Sequence, residues 1–332
     1  MSILVVFTLT LFLSNLGAYN LDNPMFYGNN IREITLTNPL NVKGSAAGIM
    51  TFDGRGATLN FPASNDKVIV ISAGKTLIFK NTTLVGFRPE HVLFRSSTSK
   101  IFFGDGVVFE LDQDLLLRSN LNLFGNVTLN GNGKSLGFEN QGSFSIYSGA
   151  AFSVKDCLIK GIKDFKTTTS ANATRFMCDK TAKLYFSSVR MMLEASWTFT
   201  SGTLGIFNDV SMTSTWATFA YKSGAQATIN PYSTLSFNRG MAFVYDSISG
   251  PNKLILADAT SQLAFRNASF VCGKKGINFY SGNILLQGSV LFNLSASLPS
   301  AGISVDPRVN LIIPSGTNLS INGIFAHGFA AA

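Results

Sequence analysis

Glu110, Asp112 and Asp114 stand at alternate positions and form the one compact carboxylate group of the chain. Alternate side chains of a strand share a face, so this spacing suits oxygen ligation of a divalent cation. A solvated strand edge carries the same pattern. The chain has only two histidines, His91 and His327, which leaves a Ser–His–Asp arrangement little to stand on. Phe87-Arg88-Pro89-Glu90-His91 suits either an active loop or an exposed turn, because Pro presets a turn and charged neighbours favour water. Cys157, Cys178 and Cys272 lack the CxxC spacing of a zinc site and are too few for a disulfide framework. Cys157 occupies a strand position that Ser or Thr takes in sister segments, as a small buried thiol would; a Cys157–Cys178 bridge is the alternative. These residues assign no catalytic group, metal ligand or cofactor.

Charge gives a more localised signal. The formal net charge is +8, and residues 155–190 hold eight basic side chains against Asp156, Asp164 and Asp179, a net of +5. This stretch contains the longest polar insertion, Thr167-Thr168-Thr169-Ser170-Ala171-Asn172. Lys160, Lys163, Lys166, Arg175 and Lys180 are therefore the candidate binding residues, as a basic protrusion meeting an acidic glycan, lipid or other polyanion. A solvated loop with scattered lysines gives the same composition. Nucleic acid is not an expected partner, since no recognisable binding motif accompanies the charge.

The elements that must position these residues are strands. Leu77-Ile78-Phe79-Lys80-Asn81-Thr82-Thr83-Leu84 returns as Leu263-Ala264-Phe265-Arg266-Asn267-Ala268-Ser269-Phe270, with looser versions beginning at Ile101, Leu121, Phe152, Leu184, Leu204, Leu235 and Ile284. Two residues after each anchor the side chain is apolar. Four residues after it stand Asn81, Asp105, Gly125, Asp156, Ser188, Asn208, Arg239, Asn267 and Gly288, all turn formers except Arg239. Each phrase is thus a short strand, a bend and a second strand. The spacings of 24, 20, 31, 32, 20, 31, 28 and 21 residues have the length of a solenoid coil. Anchors three apart differ by 75 to 83 residues, a larger block of three coils that occurs three times.

The expected fold is all-β: a single-domain right-handed parallel β-helix of about ten coils, with three internal blocks of three coils. Phe79, Phe103 and their successors should form one interior column, which would absorb a bias of 29 Phe among 39 aromatics. Asn81 and Asn267 begin Asn-x-Ser/Thr sequons, yet both sit in the bend column, where Asn shapes a turn; Asn172 is the sequon expected to be exposed. An antiparallel sandwich would instead show hairpin signals every 8–12 residues or so.

The apolar run Ile3 to Leu13, followed by small and polar residues up to Ala18, is too short to span a bilayer and suits a signal peptide over residues 1–18. The expected organisation continues with an N-terminal cap region over 19–50, the parallel β-helix over 51–325 and a C-terminal tail or cap over 326–332. No transmembrane span is expected after signal removal, and the expected location is secreted or cell surface.

The Phe-x-Asn-x-x-apolar phrases and the Gly131-Asn132-Gly133 turn resemble the pectin-lyase-like parallel β-helix class, especially its non-catalytic secreted repeat proteins, over residues 50–320. More distantly they resemble the passenger domains of bacterial polymorphic outer-membrane autotransporters. The resemblance implies surface display, adhesion or glycan contact. Polygalacturonases of this architecture carry Asn-Thr-Asp, Asp-Asp, Gly-His-Gly and Arg-Ile-Lys motifs; this chain has none of them, and Ala326-His327-Gly328 is a partial echo. The function expected is a non-enzymatic structural or adhesive scaffold contacting a polyanionic glycan or cell surface. The alternatives are a carbohydrate-active lyase or hydrolase and a glycan-binding module.

Overall fold

A computed structural model describes residues 48–168, 171–294 and 302–322, together with the backbone of three short strands before residue 48. The expected signal peptide, the expected C-terminal tail and His327 lie outside the described residues, as does most of the expected cap. The chain is a single all-β domain, a parallel β-helix of about eleven turns. Among the described residues no helix is long and apolar enough to cross a membrane. The backbone of Glu33–Thr35 already pairs in parallel with Ile49–Asn60, so the ladder extends into the region expected as a cap.

Each coil contributes strands to three faces, and the interior columns follow from alternation. On the first face Phe52, Phe79, Phe103, Leu123, Ile146 and Cys178 stack in register. On the second the column runs Leu59, Leu84, Phe109, Leu129, Val154, Phe186, Ile206, Ile229, Leu256. On the third it runs Leu115, Leu136, Ile159, Met191, Met212, Phe237, Phe265, Leu286. The hydrogen-bonded run of the first face stops at Phe176–Cys178 and resumes with Trp197–Phe199, whose ladder carries Trp197, Phe219, Phe243, Phe270 and Phe292.

This pairing corrects the single Phe column expected from the repeat. The first three phrases lie on the first face, the next three (Val154, Phe186, Ile206) on the second, and the last three (Phe237, Phe265, Leu286) on the third. A block is therefore three coils plus one strand and bend, so each copy begins one face further round. Phenylalanines from all three faces meet in the core: Phe176 of the first lies 5.5 Å from Phe186 of the second and 5.5 Å from Phe138 of the third, centroid to centroid.

The bends have a common backbone cause. Asn81, Asp156, Ser188, Asn208, Asn267 and Gly288 all adopt positive φ, between 46° and 74°, and so does Arg239 at 60°. A single left-handed residue turns the strand direction, and Asn and Gly tolerate that conformation best. Arg239, the exception by residue type, makes the same bend. Asp105 and Gly125 do not; beside Asp105, Gly106 takes the positive φ. Side chains tie the corners together axially, as where the Ser289 N–H donates to Asn267 Oδ1 at 3.0 Å. The sequon asparagines Asn81 and Asn267 are thus corner residues, and Asn172 is exposed.

The thiols belong to this core. Cys157 and Cys272 are buried, Cys178 is partly so, and none is bridged. Cys157 stacks on Val189 and Cys178 on Ile146, so the two sit on different faces. Burial pushes each thiol up to about 12, and only a thiolate attacks disulfides. The expected result is that none of the three reacts with an aromatic disulfide at about pH 8 in the native protein, whereas all react in denaturant. Rapid native labelling of any one would contradict this packing.

Candidate functional site

The basic insertion occupies residues 163–175, between the strand Ala151–Ile162, which bends from the second face to the third, and the first-face strand Phe176–Cys178. Phe165 and Ala173 close its base with an antiparallel bridge, against parallel pairing of every strand ladder among the described residues.

Arg175 anchors that base. It is only 1% exposed, and Nη1 donates to the carbonyls of Asn140 at 2.8 Å and Gly142 at 2.9 Å. Its guanidinium lies over the rings of Phe165 at 4.6 Å and Phe138 at 5.8 Å, in cation–π geometry. The other four candidates face solvent more openly. Lys160 and Lys163 line a groove beside the insertion, and Lys163 lies 3.7 Å from Glu194. Lys166 is exposed on the insertion itself. Lys180 is exposed in the turn before Lys183–Leu193, where Asp179 accepts the Ser148 N–H; it does not line this groove. The structure therefore brings Lys160 and Lys163 together, and turns Arg175 inward as a structural group.

The groove encloses about 710 Å³ and is also lined by Asp114, Glu139 and Glu194. Each carboxylate has a partner. Asp114 accepts the Ser135 N–H at 2.8 Å, a bond that holds its pKa below the usual value, with Lys160 and Lys134 adding to the effect. Glu139 pairs with Arg118 at 3.2 Å and Glu194 with Lys163. General acid catalysis needs a carboxyl held protonated near the working pH, and Asp114 is pushed the opposite way. Glu139 and Glu194 are far from each other in sequence, and only the stacking of coils brings them to one groove.

The carboxyl that burial does raise, Asp164, lines a separate cavity of about 360 Å³ beside the insertion, with Asn172, Cys178, Thr198 and Ser201. Its oxygens accept the Thr198 N–H at 3.2 and 3.3 Å, which opposes the effect of burial. Folded Asp164 holds its proton more tightly than the unfolded chain does. Between the unfolded and folded pKa values the native state binds more protons, so this contribution to stability falls as pH rises through that window. Asp164→Asn keeps an acceptor for Thr198 without the buried charge. Its urea midpoint is expected to match wild type near about pH 3 and to exceed it near about pH 7. A midpoint below wild type at neutral pH would sink this assignment.

The other sequence candidates resolve structurally. Glu110 ends a second-face strand and accepts from Asn130 at 2.5 Å and Asn132 at 2.8 Å, while Asp114 lies past the corner, before Leu115–Leu117. The acidic group is therefore bent round a corner instead of sharing one strand face. Among the described residues no three His, Cys, Asp or Glu side chains come together as metal ligands. His91 is fully buried, stacks on Phe61 at 5.2 Å, accepts the Arg88 N–H at Nδ1 and meets Ser64 O at 2.9 Å through Nε2. Burial lowers its pKa, and these partners suit a neutral ring carrying its proton on Nε2. It is a core group under a turn. No family model, curated protein or solved structure matches the chain.

Proposed function

We propose that the chain is a secreted or cell-surface β-helix scaffold of pectin-lyase-like character, non-enzymatic, which contacts an anionic glycan or surface through Lys160, Lys163, Lys166 and Lys180. One observation carries this reading: the groove beside the insertion presents lysines, while each of its carboxylates is partnered by a neighbouring donor or cation. Such a groove can recognise a chain of charged and hydroxylated units, and it lacks a poised acid and base.

The test is a panel of acidic polysaccharides, with and without calcium, scored for binding and for new unsaturated or reducing ends. Binding without products is expected, weakened by combining Lys160→Gln with Lys163→Gln and Lys166→Gln. A second reading, a carbohydrate-active enzyme, draws on the three carboxylates along one groove. Product formation abolished by Glu139→Gln or Glu194→Gln would establish it and overturn the scaffold.

A further inference from the structure

A second groove, of about 470 Å³, opens on the third face further along the axis and is lined by Arg190, Arg239 and Arg266, with Thr213, Asn238 and the half-exposed Met192. No carboxylate lines it. Among the described residues none of the three guanidiniums has an ion-pair partner. Like charges repeated along a ladder repel one another, and the fold does nothing to neutralise these.

The arginines come from three different coils. Arg190 pairs with Ser211, and the neighbouring outward row, two residues further along the strands, runs Met192, Thr213, Asn238, Arg266. Arg239 is the corner residue next to Asn238, and its backbone N–H donates to Arg266 O. Arg190 and Arg266 are three coils apart, about 14 Å at about 4.8 Å per coil. Their charges thus run obliquely along the face, offset by two residues over that axial distance, with the Thr213 hydroxyl and the Asn238 amide between them. A guanidinium offers a planar fork of donors that fits carboxylate and sulfate oxygens.

The outward row also continues the other way. Arg190 also pairs with Leu158, which lines the second groove, and Leu158 pairs with Ser135 on the lining of the first. The two grooves therefore follow one another on the same face. We infer that the third face is a track for a linear anionic polysaccharide lying along the axis, with Arg190, Arg239 and Arg266 as its principal contacts. This rests on the scaffold reading for its class of ligand, but on different side chains. A linear row with interspersed hydroxyl and amide groups suits a polysaccharide better than a flat anionic membrane.

The test is binding of the full chain to heparin, to polygalacturonate and to neutral dextran, with phosphatidylserine vesicles as a fourth probe. The variant combines Arg190→Gln, Arg266→Gln and Arg239→Asn, since Asn tolerates the left-handed backbone at that corner. Its circular dichroism and melting should match wild type. A loss of about tenfold or more in affinity for at least one acidic polysaccharide is expected, with a flatter salt dependence. Loss in the lysine variant alone, with the arginine variant within about twofold of wild type, would refute the track and leave the scaffold reading standing. Equal binding of dextran, or binding confined to vesicles, would refute it as well. If both variants bind like wild type, track and lysine contact fall together.

Discussion

Replacing Gly142 with alanine is expected to remove about 3 kcal/mol or more of stability, seen as a large fall in urea midpoint. A Cβ there would collide with the Leu117 carbonyl oxygen, standing 2.5 Å from that carbonyl carbon and 3.0 Å from Glu139 O. These are backbone atoms of the coil below and of its own turn, so no side chain can swing aside. Relief by shifting the turn would disturb the Gly142 carbonyl that accepts from Arg175 and the adjoining Asn140 carbonyl. The damage should reach the insertion, and proteolysis within residues 163–175 should accelerate. Gly149 offers the contrast. It has φ of 81° and nothing within 4 Å of its Cβ position, so alanine there should cost only the left-handed conformation, about 1–2 kcal/mol. Equal midpoints for the two variants would refute the steric account.

Phe237→Ala is the second large effect expected, about 3–5 kcal/mol. The ring is fully buried between Phe243, Phe265 and Phe219, the last at 6.2 Å. It bridges the third face to the aromatic ladder beginning at Trp197, so its removal leaves a cavity where two faces meet. Coils of a solenoid depend mainly on their neighbours. Hydrogen exchange should therefore quicken first in the strands around Thr234–Asn238 and Gln262–Arg266, with the strands near Thr76–Val85 least affected. Uniform loss of protection along the whole chain would contradict this local reading. Phe207→Ala, at a ring 40% exposed, should cost far less.

The strand–bend–strand unit was legible because two simple rules produce it: alternation puts apolar residues inward, and turn formers tolerate a left-handed φ. Asn81, Asp156, Asn208 and Asn267 were placed at corners on residue type alone. The face of each unit was not legible. All three corners use the same device, and coil length varies, so spacing between anchors mixes full circuits with steps to the next face. The 31 residues from Leu121 to Phe152 are such a mixture, whereas the 32 from Phe152 to Leu184 are one true coil.

The insertion was legible as the stretch that departs from the repeat, and its lysines as candidate contacts. The burial of Arg175 was not, because local composition does not distinguish a solvated cation from one folded under its own loop. A faint signal existed: Arg175 is the one guanidinium among the lysines of residues 155–183, and a buried cation with carbonyl partners favours Arg. The arginine groove escaped because its members come from three coils, and one of them stood out only as a misfit in the bend column.

The step of one face per block bears on how such a rod can lengthen. Duplicating a single circuit would push the downstream surface along the rod and leave its compass bearing unchanged. Duplicating a whole block would also swing everything downstream to the neighbouring side, because the copy ends on a different corner from the one where it began. Growth by blocks would thus wind any surface feature around the rod like a stripe, and growth by circuits would keep it on a single flank.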